Sequence, residues 1–207
     1  MKEILYKNRI SVGLILILFS YIFNPSFKQI FDVTKLKRKS KVEYIVVHWT
    51  ANTNPRADAI ANARYLQKKQ NAGTHYCIDD VQIVQCTPED YVAYAVGDNK
   101  WLGFVTKFWL KDKIKNGNSL SYEMCLGGGR NDSTIMDVTA QCIGWQLVNK
   151  GLDISRVVRH YDVSGKHCPR FNYNDKEWDL QKENESFDKF KKIVEKYYKL
   201  NLERVKK

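Results

Sequence analysis

The chain has 207 residues, of which 43% are hydrophobic, enough for one folded domain of ordinary size with a short extension. Its five cysteines follow no regular short spacing, so the sequence does not indicate a disulfide-rich scaffold. The formal net charge is +11, but residues 1–41 hold nine of the 34 basic residues and only two of the 23 acidic ones. Because the positive excess lies mostly in this N-terminal arm, the composition argues against a nucleic-acid-binding protein and fits a polyanionic envelope or membrane surface.

The N-terminal arm contains an apolar run that begins at Ile10, ends at Phe23 and follows three basic residues. The run has 14 residues, whereas a transmembrane helix needs about 20, so it resembles the core of a signal peptide. No small-residue cleavage site follows it. We therefore expect membrane anchoring by an uncleaved signal anchor, or export by an inefficiently cleaved signal, with residues 24–41 as a basic linker. The alternative is a hydrophobic helix that packs on the domain.

Three elements are predicted after this arm. The segment VEYIVVHWTA at residues 42–51 has the β-branched character of a short buried strand and contains His48 near its end. A helix is predicted from Ala57 to Gln70 by its apolar spacing and by the turn residues before it. A hairpin is predicted for residues 74–78 and 81–86. Strand, helix and hairpin thus follow one another directly.

Residues 87–118 are the part of the chain with the weakest periodicity. Lysines alternate there with four large aromatic residues, which are Trp101, Phe104, Phe108 and Trp109. One interpretation is a loop that presents aromatic rings and cations to a substrate. The other is an insertion that packs its aromatic rings on the domain.

The second half of the chain continues the alternation of strands and helices. Residues 120–126 (LSYEMCL) predict a strand in which Glu123 is the only charged residue, and buried strands rarely carry an unpaired acid. Helices are predicted for residues 134–150 and 186–200, and a further strand for residues 157–160. The alternation predicts an α/β fold: a single domain over residues 42–200 with a central mixed β-sheet flanked by helices, plus the N-terminal hydrophobic segment.

Metal-binding residue types follow two of the predicted strands. In RHYDVSGKHCPRF, His160 stands at the end of a buried strand, and Cys168 lies eight residues later in a loop. Imidazole nitrogens and thiolates are good zinc ligands. His48 also ends a β-branched run, so both histidines could project from one edge of the sheet. We therefore predict a zinc site at His48, His160 and Cys168. Each residue taken alone would be a capped strand-end histidine or a buried cysteine that behaves as a small hydrophobe.

Four segments carry a family resemblance in this order: VEYIVVHWTA, THYCIDDVQIVQC, NSLSYEMC and VVRHYDVSGKHCPRF. They resemble the zinc-dependent N-acetylmuramoyl-L-alanine amidases of the type 2 family, over roughly residues 42–195. This family includes phage lysozyme-type amidases, and animal peptidoglycan recognition proteins share its fold. The resemblance implies Zn²⁺ as cofactor and peptidoglycan as partner. It also implies hydrolysis of the amide bond that joins the lactyl group of N-acetylmuramic acid to L-alanine.

The resemblance also implies roles for two further residues. Glu123 would take a proton from the attacking water and return it to the leaving amine, and Lys166 would stabilise the oxyanion. The alternatives are a structural carboxylate that orients a ligand or pairs with Lys166, and a solvated loop lysine. Thr74 occupies the position at which some relatives have a catalytic tyrosine. Because threonine cannot replace that tyrosine, Glu123 becomes the stronger candidate for proton transfer. His75 and His167 are weaker ligand candidates, and Asp162 could orient the ligand loop.

Two other functions were weighed against an envelope amidase. A non-catalytic module that binds peptidoglycan is the first, but such relatives often lose the cysteine ligand, which is present here as Cys168. The second is an interaction role, because some phage relatives also restrain a polymerase. The export-type N-terminus argues against that role. We expect an enzyme at the cell envelope, exported or anchored through the run from Ile10 to Phe23, that binds no nucleic acid.

Overall fold

A single mixed β-sheet of six strands organises the chain, in the order β1-β4-β3-β5-β2-β6. The structure is a computed structural model that describes residues 26–30, 36–97, 110 and 113–206. Strands β3, β5, β2 and β6 run parallel to one another, and β4 is antiparallel to β3. The strands are β1 (Ser26–Gln29), β2 (Tyr44–Trp49), β3 (Tyr76–Ile78), β4 (Gln82–Gln85), β5 (Ser119–Met124) and β6 (Val157–Arg159). The predicted α/β architecture with a mixed sheet is confirmed.

Four α-helices accompany the sheet within the described residues: α1 (Ala59–Gln67), α2 (Asp132–Lys150), α3 (His160–Ser164) and α4 (Leu180–Val205). Helix α2 ends at Gly151, whose φ of 64° closes the helix in the left-handed conformation that glycine tolerates. Helix α4 is longer at both ends than the predicted range of 186–200. Its earlier start is explained by Asp179, whose side chain accepts hydrogen bonds from the first backbone N–H groups of the helix.

One face of the sheet forms the main hydrophobic core. Side chains alternate along a strand, so Ile45, Val47, Tyr122 and Met124 share this face and pack against α2 and α4. The two helices touch at Gly144, where an added Cβ would lie 2.8 Å from the Cβ of Tyr197. This face is therefore closed by aliphatic and aromatic contacts.

The opposite face carries the polar side chains of the central strands. His48 and Glu123 lie on it, in register with each other. Two smaller apolar clusters border them, one under α1 and one formed by Val46 and Val158 with Leu110 and Ile114. The C-terminal part of the 87–118 segment thus packs on this face, close to the strands that carry the polar groups.

The N-terminal side of the domain contains a strand where the sequence analysis expected a linker. Strand β1 pairs in parallel with β4, with Ser26 opposite Gln82. Further along, the Arg38 guanidinium donates hydrogen bonds to three backbone carbonyls, those of Glu89, Gly117 and Ser119, at 2.5–2.9 Å. Residues 26–30 and 36–41 therefore belong to the folded unit, which differs from the linker expected for residues 24–41.

Two predicted features fall outside the described residues. They are the apolar run from Ile10 to Phe23 and the four aromatic residues Trp101, Phe104, Phe108 and Trp109. Within the residues that are described, no helix combines the length and the apolar character needed to cross a membrane.

Candidate metal centre

The parallel register of β2 and β6 brings two histidines together. Val47 pairs with Arg159, so the next residues along the two strands, His48 and His160, are neighbours on the same face of the sheet. Their ring centroids lie 4.7 Å apart at an interplanar angle of 66°. The two imidazoles that follow the β-branched runs of the sequence thus lie next to each other at the carboxyl edge of the sheet.

The third predicted ligand, Cys168, reaches this point from the loop after α3. Gly165, at φ 76°, ends α3 and turns the chain back, and Tyr161 N donates to Cys168 O at 2.8 Å. Cys168 Sγ then lies 3.8 Å from His48 Nδ1. One ligand atom from each of His48, His160 and Cys168 lies within 4.8 Å of the others, and the three residues are at most 4% exposed.

These three side chains fit a zinc ion. Ligands about 2.0–2.3 Å from a tetrahedral zinc are about 3.3–3.8 Å apart, so only a small contraction of the cluster is required. His48 Nε2 is buried and has no hydrogen-bond partner among the described residues. Burial, followed by the positive charges of His160 and Lys166, lowers the pKa of His48 well below its usual value. The imidazole is therefore neutral at physiological pH and has a lone pair available to a metal.

Glu123 stands beside the cluster on the adjacent strand. Its Oε1 lies 4.0 Å from His48 Nδ1, and its side chain is only 18% exposed. Burial raises the pKa of Glu123 to about 7, although the positive charge of Lys166 acts in the opposite direction. A carboxyl group that titrates near neutrality can both accept and return a proton, which is what a general base and acid must do.

Lys166 lies in the same loop as Cys168. Its carbonyl oxygen accepts a hydrogen bond from Cys168 N at 2.6 Å. Its positive charge lowers the pKa of both His48 and Glu123. The structure thus brings together His48, His160, Cys168 and Glu123, and it places Lys166 in the loop that carries Cys168.

The other candidates are placed in structural roles. Thr74 is fully buried and donates its hydroxyl hydrogen to the Ser121 carbonyl at 2.9 Å, so it does not replace the tyrosine of some family members. Tyr76 lies on the opposite face, and its hydroxyl group donates a hydrogen bond to the Glu89 carboxylate at 2.6 Å. His167 stacks on Trp178 with ring centroids 4.4 Å apart.

His75 lies on the same face as His48 but is held by the backbone. Its Nδ1 accepts a hydrogen bond from Ser121 N at 3.0 Å, and its Nε2 lies 3.2 Å from the Tyr91 carbonyl oxygen and 2.9 Å from the Arg38 guanidinium. Burial and the neighbouring Arg38 guanidinium lower the pKa of His75 to about 3. The ring is a neutral bridge between strands, and it is not in the group of side chains that could hold a metal.

Two acidic residues support the ligand loop. Asp162 accepts hydrogen bonds from the backbone and the guanidinium of Arg159, at 2.8 and 2.7 Å, which agrees with its expected role in orienting the loop. Glu183 was missed by the sequence analysis. It is 1% exposed and accepts from Phe171 N and Asn172 N at 2.9 and 3.0 Å. Its position four residues before Phe187, on the apolar stripe of α4, is a signal that could have identified it.

Glu183→Ala is expected to destabilise the domain and to weaken zinc binding. The change leaves two backbone N–H groups just after Cys168 without their acceptor, at a cost of about 2–4 kcal/mol in the free energy of unfolding. Because the loop that carries Cys168 loses its anchor, zinc affinity should fall about 10- to 100-fold. Urea unfolding and competition with a zinc chelator measure the two effects. Glu185→Ala, an exposed change on the same helix, is the matched control and should leave both values unchanged.

Comparisons with known proteins agree with this geometry. The family model for N-acetylmuramoyl-L-alanine amidase matches residues 38–171. A probable N-acetylmuramoyl-L-alanine amidase of Bacillus licheniformis is 33% identical over 139 residues, which are 62% of this chain and 36% of that protein. The chain spans less than half the length of the curated relatives it matches.

Solved structures share the fold. A mutant endolysin from Bacillus subtilis is 26% identical with a TM-score of 0.63, over 82% of this chain and 99% of that one. The Staphylococcus aureus hydrolase AmiA, solved in complex with its ligand, is 22% identical with a TM-score of 0.66, over 86% of this chain and 85% of that one. The likeness to AmiA concerns the fold alone.

Proposed function

Since this chain belongs to the N-acetylmuramoyl-L-alanine amidase family, we propose that it is a zinc-dependent hydrolase of peptidoglycan. The bond cleaved is the amide between N-acetylmuramic acid and L-alanine. The single observation that carries this proposal is the convergence of His48, His160 and Cys168 within 4.8 Å, with Glu123 beside them. A fold of this family without that cluster would support only binding.

The three ligands would hold the ion at the carboxyl edge of the sheet. Two neutral imidazoles and one thiolate leave a net positive charge at the centre, which suits an electrophile. When bound, zinc supplies Lewis acidity to the scissile carbonyl and to the attacking water. The buried surroundings of His48 and Cys168 strengthen this electrostatic effect, because little solvent is present to screen it.

Proton transfer is the work of Glu123 in this proposal. The carboxylate takes a proton from the water as the water oxygen bonds to the carbonyl carbon. It then gives that proton to the amine of L-alanine as the C–N bond breaks, so that the departing group leaves as a neutral amine. The raised pKa of Glu123 suits both steps, since a strongly acidic carboxyl group would be a poor base.

Lys166 is proposed to stabilise the negative charge that develops on the carbonyl oxygen. Its positive charge acts on the pKa of both Glu123 and His48, which supports a position near the candidate centre. A fixed cation at this point stabilises the transition state more than the neutral substrate. The alternative of a solvated loop lysine is less consistent with this proximity.

Muropeptide analysis tests the proposed reaction. Purified, zinc-loaded protein is incubated with peptidoglycan sacculi, and the soluble products are separated and weighed by mass spectrometry. We expect stem peptides with a free L-alanine amino group and glycan strands with free lactyl carboxyl groups. A chelator should remove the activity and added zinc should restore it. Binding to sacculi without these products would instead identify a recognition module, and cleavage within the stem peptide would contradict the proposed bond.

The proposed place of action is the cell envelope, where peptidoglycan is found. Fractionation of the tagged full-length protein distinguishes export from anchoring through the run from Ile10 to Phe23. A sedimenting protein that detergent releases would support an anchor, and a soluble exported protein would support a signal peptide.

A further inference from the structure

A buried hydroxyl group follows His48 by two residues along the chain. Thr50 Oγ1 is removed from solvent, and it makes no hydrogen bond within the part of the chain that the structure describes. Glu123 Oε2 is also buried and also makes no hydrogen bond with the described residues. Buried polar atoms in folded proteins are nearly always hydrogen-bonded, because an unpaired one is costly. Two such atoms near one reactive centre point to a shared polar ligand.

The strand register places Thr50 on the reactive face. Thr50 N donates to the Met124 carbonyl at 3.1 Å, which extends the β2–β5 ladder one residue beyond Trp49. Side chains alternate along a strand, so Thr50 shares the face of His48 and is a diagonal neighbour of Glu123. Ala51 has a φ of 53°, a conformation that few residues other than glycine adopt. The chain turns away there, and Thr50 is therefore the last side chain of this strand on the reactive face.

We propose that Thr50 and Glu123 together hold and orient the water that attacks the amide. This inference rests on the proposed function and adds a positioning residue to it. A water between them can donate one hydrogen to Glu123 Oε2 and the other to Thr50 Oγ1. With both hydrogens held, a lone pair on the oxygen is directed at the carbonyl carbon. As the new C–O bond forms, one water proton passes to Glu123, and Thr50 keeps its own proton throughout.

Thr50→Val separates this role from a structural one. Valine has the shape of threonine but no hydroxyl group, so the substitution removes the hydrogen-bond partner of the water and no contact within the protein. The thermal midpoint is therefore expected to stay within about 2 °C of the wild-type value, while kcat falls roughly 10- to 100-fold with KM and zinc content unchanged. Thr50→Ser restores the hydroxyl and should recover most of kcat.

Thr139→Val is the matched control. Thr139 also has a buried hydroxyl without a partner among the described residues, but it lies in α2, on the opposite face of the sheet. This variant should keep full activity, because it removes a buried hydroxyl group away from the candidate centre. If Thr50→Val keeps full kcat, or changes only KM, the positioning role is wrong.

A high-resolution crystal structure gives a readout that does not depend on activity. We expect an ordered water within hydrogen-bond distance of both Thr50 Oγ1 and Glu123 Oε2, and its loss or displacement in Thr50→Val. A structure in which Thr50 instead bonds to the protein would overturn the inference even if the enzyme is active. An inactive wild-type protein that holds the water would contradict the proposed function and leave the water site standing.

Discussion

Replacing Cys168 by serine is expected to remove zinc binding and, with it, amidase activity. A serine hydroxyl is a poor zinc ligand compared with a thiolate, and the remaining imidazoles of His48 and His160 form only two bonds. Zinc affinity should fall by more than the roughly 10- to 100-fold seen when a residue that merely supports a ligand is lost. The measurements are zinc per protein after dialysis, by metal analysis, and release of muropeptides.

Cys142→Ser is the control for this substitution. Cys142 is also buried, but it lies in α2 among the side chains of the main core, where burial raises the pKa of its thiol. The variant therefore tests whether a polar atom in place of a buried sulfur is harmful by itself. It should keep its zinc. Unchanged zinc content in Cys168→Ser would contradict the proposed centre, whatever the activity.

Glu123→Gln is expected to lower kcat by about 10²- to 10⁴-fold while the protein keeps its zinc. The amide has nearly the same size as the carboxylic acid and can still form hydrogen bonds, but it cannot take a proton from water. Glu123 is not one of the three ligand-type residues of the cluster, so metal content should not change. The loss should appear in kcat, because proton transfer belongs to the chemical step.

Glu43→Gln is the matched control for the carboxylate. Glu43 is exposed, and its carboxylate accepts a hydrogen bond from Asn118 at 2.8 Å, far from proton transfer in the proposal. Activity and zinc content should both be unchanged. If Glu123→Gln retains wild-type kcat, the base must be another group, and the carboxylate would instead have the structural role considered from the sequence.

The parts of the site that could be predicted from the sequence are those carried by strand ends. His48 and His160 each follow a β-branched run, and these runs form the neighbouring parallel strands β2 and β6, whose carboxyl ends lie on the same side of the sheet. Cys168 could be predicted as a ligand because the loop that carries it is short and contains Gly165. Their convergence follows from the order of the strands, which periodicity does not determine.

Other features escaped prediction for identifiable physical reasons. Strand β1 has only four residues, is mostly exposed and carries a lysine, so it lacks the apolar signature of a strand. The hydrogen bonds of Glu183 join it to a chain segment that folds back onto α4, and no local sequence pattern predicts such a contact. Thr50 was overlooked because a hydroxyl after a strand is common, and only the register reveals the face on which it lies.

The direction of β1 determines where any N-terminal tether would leave the domain. Ser26 pairs with Gln82. Followed through β4, β3 and β5, the strand registers place Ser26 at the same edge of the sheet as the carboxyl end of β2, where His48 lies. Four strand intervals of about 4.8 Å separate β1 from β2, so the exit point and the reactive rim are roughly 19 Å apart on the same side. If residues before Ser26 were fixed to a surface, the point of attachment would lie on the same side of the sheet as the candidate metal centre.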